Sequence, residues 1–175
     1  MSTKKICINA MGIALFVVLT LCLQVPVFEN YYLCLGYVVM MLYSYYFGTM
    51  SGTLVGTIGV LVYCILTGGL RGMPGWILGN FIIGLLCGTI CVRIKTLDNK
   101  WLKQCIIVFV IVVSTAIGIL VVKSMTEVFL YGISFSARAA SNMFAFVADV
   151  FVLIVGYEIC IAGEPIFKRI ITTES

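Results

Sequence analysis

The amino-acid sequence predicts an all-α integral membrane protein with six transmembrane helices and both termini in the cytoplasm. The first observation is composition: 62% of the 175 residues are hydrophobic and 10% are charged, whereas a soluble domain has about 45–50% apolar and about 25% charged residues. The second is length, because six crossings of ~20 apolar residues use ~120 positions and leave ~55 for loops and tails. The third is the distribution of basic residues, which requires an even number of crossings. We therefore predict one six-helix membrane domain over residues 1–175.

Six apolar stretches are the predicted helices. The first covers about residues 6–24 and, with its basic start and apolar core, has features of a signal peptide. No small-x-small cleavage site precedes Glu29, so we interpret it as a mature helix. The later helices cover about residues 31–47, 51–66, 76–92, 105–122 and 143–161. Several of them are near the short end of the length that spans a bilayer.

The positions of lysine and arginine predict the orientation. Three basic groups are separated from one another by an even number of helices: Lys4 and Lys5; Arg93, Lys95, Lys100 and Lys103; Lys168 and Arg169. All three therefore lie on one side of the membrane, which the positive-inside rule identifies as the cytoplasm. The opposite face receives Glu29, Arg71, Lys123, Glu127 and Arg138.

The composition also excludes several kinds of chemistry. Histidine is absent, which removes histidine bases and histidine-ligated metals. The nucleotide motif GxxxxGK[ST] and the catalytic motifs HExxH and GxSxG are absent as well, so we predict neither an enzyme nor a bound cofactor or metal. No interleaving of aromatic and basic residues indicates a nucleic-acid surface. The eight cysteines are scattered singly through apolar stretches and are interpreted as buried thiols.

Small residues recur at four-residue spacing, which allows helices to approach closely in lipid. The glycines at this spacing are Gly48, Gly52 and Gly56, then Gly75 and Gly79, then Gly84 and Gly88. For the glycines of the third and fourth helices we predict packing inside the bundle. Ala10 and Ala14 lie one turn apart at the cytoplasmic end of the first helix, where either a second membrane subunit or ordinary packing accounts for them.

Polar residues inside the membrane are costly and mark candidate functional positions. Asp149 lies near the middle of the last helix, Asn142 two turns earlier, and Asn80 in the outer half of the fourth helix. For Asp149 three roles stay open: a hydrogen bond to a neighbouring helix, a ligand site, or a proton or cation relay. Glu158 is close enough to the inner surface to reach water.

The predicted outer loops carry the other candidate residues. The Gly-rich stretch from Thr67 to Trp76 includes Arg71, and this combination suits either recognition of a small polar, anionic or ring-bearing solute or simple anchoring at the membrane surface. Tyr31 belongs to the first outer loop. The last outer stretch, residues 123–142, contains Lys123, Glu127 and Arg138. Its centre suits a short amphipathic helix on the membrane or a lid, and Lys123 and Glu127 suit a local ion pair.

Two segments carry a resemblance to a known family. The run Ala10-Met-Gly-Ile-Ala14 matches an AxxxA motif, and the segment from Gly68 to Asn80, continued to Gly88, is similar to the third loop region and fourth helix of that family. The chain resembles the substrate-binding S component of an energy-coupling factor (ECF) vitamin transporter. Such S components have six helices, about this length and both termini inside.

The resemblance implies a function and a set of partners. An S component binds a water-soluble vitamin or precursor at its extracellular end and docks through its first helix on a membrane T subunit, which is coupled to two ATPase subunits. Ala10 and Ala14 would then form the docking surface in a bacterial plasma membrane. The expected substrate-binding residues are Arg71, Trp76, Asn80, Arg138 and Asn142, with Tyr31, Lys123 and Glu127 as further candidates.

The identity of the solute stays open at this stage. Basic residues outnumber acidic ones on the outer face, which favours a neutral or anionic solute over a strongly cationic one such as thiamine. Pantothenate would use the basic groups, and pyridoxine or hydroxymethylpyrimidine would use the aromatic and amide groups. Two other classes of function remain: a stand-alone carrier in which Asp149 titrates during transport, and a membrane assembly protein without a ligand.

Overall fold

A computed structural model describes residues 3–22, 25–28, 31–69, 73–132 and 134–173, with side chains described outside 25–32 and 166–173. The elements in chain order are α1 (Thr3–Cys22), β1 (Val25–Phe28), β2 (Tyr31–Leu33), α2 (Gly36–Phe47), α3 (Thr49–Thr67), α4 (Met73–Ile94), α5 (Lys100–Thr115), a π-helical segment (Ala116–Lys123), α6 (Ser124–Tyr131) and α7 (Phe135–Thr173). The segments α5, π and α6 follow one another without a break. Together they form one long helical stretch.

Local sequence explains where the helices begin and end. Gly68 ends α3 with φ +71° and Gly132 ends α6 with φ +65°, a left-handed conformation that glycine adopts at little cost. The α2–α3 connection is Gly48 alone, with φ +91°. The α5 N-terminus is capped by Asn99, whose side chain accepts a hydrogen bond of 3.3 Å from the Leu102 N–H. The glycines end helices that apolar sequence would otherwise continue, and Asn99 fixes the start of α5.

Within the described residues, five helical stretches are long and apolar enough to cross a membrane: Thr3–Cys22, Thr49–Thr67, Met73–Ile94, Lys100–Tyr131 and Phe135–Pro165. The sixth, α2, has 12 residues and extends only ~18 Å, short of the ~30 Å hydrocarbon layer. Its side chains are nevertheless central to the core, and Tyr37, Met40 and Met41 are fully buried. The predicted all-α membrane fold is thus confirmed, and α2 supplies the sixth helical stretch.

Two predicted boundaries were wrong. The second helix does not begin near residue 31, because Tyr31–Leu33 pairs antiparallel with Val25–Phe28. Pro26 and the β-branched and aromatic residues around it favour this hairpin over a helix. The predicted outer stretch 123–142 is also mostly helical, since α6 continues to Tyr131 and α7 begins at Phe135.

Glycines let the helices approach backbone to backbone. A Cβ on Gly84 or Gly88 of α4 would lie 2.8 Å from the Cα of Thr53 or Thr49 of α3. A Cβ on Gly79 would lie 2.7 Å from the carbonyl oxygen of Gly118 in the π segment. These glycines pack inside the bundle, as their spacing predicts.

Successive helices run in opposite directions along the bundle, so their connections lie at two ends, and these ends differ chemically. One end carries the β1–β2 hairpin and the α3–α4 and α6–α7 connections, and we call it the hairpin end. The other, the basic end, carries the start of α1, the α2–α3 turn and the α4–α5 connection. The basic end has Lys4, Lys5, Arg93, Lys95, Lys100 and Lys103.

Candidate functional site

The first part of the candidate site is a hydrogen-bonded cluster around the fully buried Tyr37 of α2. The Tyr37 hydroxyl donates to Asn80 Oδ1 at 2.7 Å and accepts from Trp76 Nε1 at 3.0 Å. The Asn80 Nδ2 group donates in turn to the carbonyl oxygen of Gly56 at 3.3 Å. Trp76 and Asn80 are four residues apart on α4 and therefore share one face of that helix. The cluster fixes an indole, a phenol and an amide relative to one another.

Aromatic rings surround this cluster. The Tyr63 ring meets the Trp76 ring edge to face, with centroids 5.7 Å apart and planes at 84°. The Phe16 ring of α1 meets the Tyr37 ring in the same way at 6.3 Å. Such edge-to-face pairs stabilise the orientation of both rings. Trp76 is held from two sides, by its hydrogen bond and by Tyr63.

The second part of the candidate site joins α6 to the start of α7. Asn142 Nδ2 donates to Ser124 Oγ at 3.0 Å and to Glu127 Oε2 at 3.3 Å. The same carboxylate oxygen lies 3.6 Å from Arg138 Nε, an ion pair in which Glu127 is buried and Arg138 is 27% exposed. The cluster thus places a carboxylate, a guanidinium and an amide at the hairpin end.

Lys123 and Asp149 lie between the two parts. The Lys123 ammonium is 6.0 Å from the centroid of the Trp76 ring, within reach of a cation–π interaction. It also interacts electrostatically with Glu127 and with the buried Asp149, which in turn neighbours the Tyr37 hydroxyl. Two cations and two carboxylates therefore face one another. The charges of the candidate site are balanced within it.

Two polar atoms of the site are buried and, among the described residues, have no hydrogen-bond partner: Asn142 Oδ1 and Arg138 Nε. Buried polar groups in folded proteins are nearly always paired. Arg138 Nε keeps its ion pair with Glu127 at 3.6 Å, whereas the Asn142 Oδ1 acceptor suits a polar ligand that supplies a donor.

The structure brings most of the predicted site residues together. Those that meet at the hairpin end are Trp76, Asn80, Lys123, Glu127, Arg138 and Asn142. Tyr31 lies in β2, and only its backbone is described. Arg71 lies outside the described residues. Ala10 and Ala14 are exposed on α1, away from this site.

Sequence reasoning missed Tyr37 and Ser124. Both occupy apolar surroundings in the sequence, so tyrosine was interpreted as part of an apolar helix and serine as part of a loop. A usable signal existed for Tyr37, because a phenol hydroxyl deep in an apolar stretch requires a partner. Asp149, whose role the sequence left open, lies beside Tyr37 and Lys123 and so belongs to the candidate site.

An apolar bundle with a buried, charge-balanced polar and aromatic cluster at one end defines a multi-pass membrane protein that binds a small solute. Comparison with known families agrees, because residues 1–163 match the family described as "ECF-type riboflavin transporter, S component". The chain belongs to this family of ECF transporter S components. It is therefore a vitamin-binding subunit, the class that the sequence resemblance predicted. This membership favours neither a stand-alone carrier nor an assembly protein without a ligand.

Members of this class work with a membrane T subunit and ATPase subunits, and they are transport proteins rather than enzymes. Within the described residues, no group of three or more cysteine, aspartate and glutamate side chains is arranged to hold a metal ion. The candidate site offers hydrogen-bonding groups, aromatic rings and charged groups.

Proposed function

We propose that this chain captures riboflavin at the hairpin end, facing the outside of a bacterial plasma membrane, and delivers it inward after docking on a T subunit with two ATPase partners. The observation that carries the proposal is the buried cluster of Tyr37, Trp76, Asn80 and Asn142. The family description, which names riboflavin, supports it independently.

The chemistry of the cluster suits the flavin ring. Riboflavin has a flat aromatic ring whose carbonyl and imide groups accept and donate hydrogen bonds side by side. An amide side chain also offers one acceptor and two donors, so Asn80 and Asn142 complement such an edge. Trp76 offers a ring surface close to both, and the unpartnered Asn142 Oδ1 suits an imide N–H or a ribityl hydroxyl.

Charge balance favours riboflavin over the smaller candidate ligands. Lys123 and Arg138 already face Asp149 and Glu127. A free carboxylate such as that of pantothenate would compete with these buried carboxylates, which is costly in a water-poor site. Riboflavin is neutral and avoids this cost. Pyridoxine and hydroxymethylpyrimidine have one small ring each and would engage fewer of the polar groups that α4, α6 and α7 contribute.

The test is a fluorescence titration of the purified protein in detergent. Stacking against tryptophan or tyrosine quenches flavin fluorescence, so we expect the wild-type protein to quench it saturably. Pantothenate, pyridoxine or hydroxymethylpyrimidine at the same concentration as riboflavin should not displace the bound riboflavin. Asn80→Ala removes two hydrogen bonds of the cluster and should weaken binding by about tenfold or more. Thr89→Ala, at an exposed position on the same helix, is the matched control and should bind normally. Saturable binding of another vitamin with no response to riboflavin would overturn the proposal.

A further inference from the structure

A second site lies at the basic end, far along the bundle from the candidate vitamin site. It is a cavity of about 570 Å³ between the end of α2, the α4–α5 connection, the start of α5 and the middle of α7. Its floor is formed by Tyr45 and Tyr157, which are both buried and meet edge to face with centroids 6.2 Å apart. The cavity is therefore built on a packed aromatic base.

Three lysines line this cavity: Lys95, Lys100 and Lys103. The Lys95 ammonium donates to the carbonyl oxygen of Tyr45 and lies 4.7 Å from the centroid of the Tyr45 ring. The Lys103 ammonium donates to the carbonyl oxygen of Lys95 at 3.3 Å. Each ammonium has three donors, so these bonds hold the amines in position and leave further donors. Lysine ammoniums that line one cavity are suited to a phosphate group.

Two carboxylates line the same cavity: Glu158 and Glu164 of α7. Glu158 is oriented by Gln104, whose Nε2 donates to its Oε1 at 2.6 Å. A purely anionic ligand would meet these carboxylates unfavourably. A ligand that has a phosphate and an ammonium a few bonds apart matches both kinds of charged side chain, since the phosphate can meet the lysines and the ammonium can meet the carboxylates.

The surroundings of the cavity indicate a lipid as the source of this chemistry. Trp101 follows Lys100 and is 82% exposed, and exposed tryptophan is typical of the membrane–water interface. Ile161 lines the cavity and is itself exposed on the outside of α7, so apolar surface continues from the cavity along the helix. A headgroup bound here would lay its acyl chains on that surface.

We propose that this cavity binds the phosphoethanolamine headgroup of a phospholipid from the leaflet at the basic end. The lysines contact the phosphate, and the two glutamates contact the ammonium. Basic pockets between membrane helices are known to select lipid headgroups. The two carboxylates give this one a preference for a zwitterionic headgroup over an anionic one.

The first experiment measures which lipids the protein retains. The full chain is incorporated into nanodiscs with equal parts of phosphatidylethanolamine, phosphatidylglycerol and phosphatidylcholine, released, and analysed by native mass spectrometry. We expect phosphatidylethanolamine to dominate, and Lys100→Gln/Lys103→Gln to retain about tenfold less of it. Lys4→Gln/Lys5→Gln removes the same charge at the same end and should retain it normally. Equal loss in both double variants would show unspecific charge attraction and overturn the proposal.

The second experiment inverts the selectivity. In Glu158→Gln/Glu164→Gln the ammonium loses its partners, so the retained lipid should change from mostly phosphatidylethanolamine to mostly phosphatidylglycerol. An unchanged ratio of the two lipids would contradict the role of the carboxylates. Unchanged melting temperatures and unchanged riboflavin titrations would show that the variants fold and that the two sites are separate.

The third experiment separates a lipid from a soluble source of the same chemistry. The delipidated protein in detergent is heated with O-phosphoethanolamine or with a short-chain phosphatidylethanolamine. We expect the lipid to raise the melting temperature at concentrations at which the soluble compound does not. Equal stabilisation by O-phosphoethanolamine would assign the cavity to a soluble ligand and overturn the lipid assignment.

Discussion

Glu127 is the residue on which the second part of the candidate site depends. It accepts from Asn142 and pairs with Arg138, so it holds the start of α7 against α6. The glutamate is buried, whereas Arg138 is 27% exposed and partly compensated by water. Loss of this charge therefore costs less than the several kcal/mol that follow when a fully buried pair is broken.

We expect Glu127→Gln to destabilise the protein by about 1–2 kcal/mol and to weaken riboflavin binding, because Arg138 loses its ion-pair partner while the hydrogen bond to Asn142 is partly kept. Thermal unfolding in detergent and the fluorescence titration measure the two effects. Asp98→Asn removes an acidic charge at an exposed position and serves as the control, with a change within about 0.5 kcal/mol. A Glu127→Gln protein as stable and as tight-binding as the wild type would contradict this role.

The residue scale also shows which parts of the candidate site were predictable. Asn80 and Asn142 stand out because an amide in a membrane helix requires a partner. Tyr37 does not stand out in the same way, since tyrosine counts as apolar in a hydrophobic stretch. Glu127 pairs with Arg138 because α7 begins at Phe135 and so includes Arg138. The apolar pattern predicted that this helix begins near residue 143. The sequence therefore indicated only the local pair of Glu127 with Lys123.

At the scale of elements, the contact between α4 and the π segment holds the two parts of the candidate site together. Gly79 and Gly118 face one another, and the carbonyl oxygen of each is within 2.8 Å of a Cβ on the other. Trp76 and Asn80 project from α4, and Lys123 ends the π segment. The distance between these two backbones therefore sets the distance from Lys123 to the Trp76 ring.

We expect Gly79→Ala to reduce stability by about 1–3 kcal/mol, because the new methyl group meets backbone that cannot rotate away. Riboflavin binding should weaken as well, since Trp76 and Asn80 shift away from Lys123. Differential scanning fluorimetry and the titration report both. Gly69→Ala, where the nearest atom is a threonine hydroxyl 3.4 Å away, is the matched control and should behave as wild type. Normal stability of Gly79→Ala would refute the close contact.

The winding of the π segment is a feature that the sequence does not predict. Residues 105–122 are almost uniformly apolar, so the sequence indicates a helix but gives no periodicity from which its winding can be determined. The wider π turn changes the direction in which Lys123 and the residues after it point, and π turns occur frequently at functional sites. The start of α2 was misplaced for a related reason, because residues 31–33 are as apolar as the helix that follows them.

At the scale of the whole molecule, the helical stretches form one bundle with an apolar exterior. The charge distribution predicted six helical stretches correctly, although α2 is too short to span a bilayer by itself. α2 nevertheless belongs to the core because its neighbouring helices cover it.

The exposed surface of the bundle is apolar along its length. Helix α1 contributes Ala10 and Ala14 to that surface, together with Met11, which is 70% exposed. Nothing within the described part of the chain packs over these alanines.

A small-xxx-small stripe left exposed on α1 suits close approach of another membrane helix, and we propose it as the surface on which the T subunit docks. We expect Ala10→Trp/Ala14→Trp to abolish riboflavin uptake by the assembled transporter in proteoliposomes while the titration of the isolated chain stays normal, because the indoles block docking on the exposed face of α1. Phe16, on the buried face of the same helix, keeps its contact with Tyr37. Phe109→Trp, on the exposed face of α5, adds an indole elsewhere and should leave uptake intact. Normal uptake by the alanine double variant would refute docking through this stripe, whereas loss of binding in the isolated chain would mean that α1 shapes the site itself.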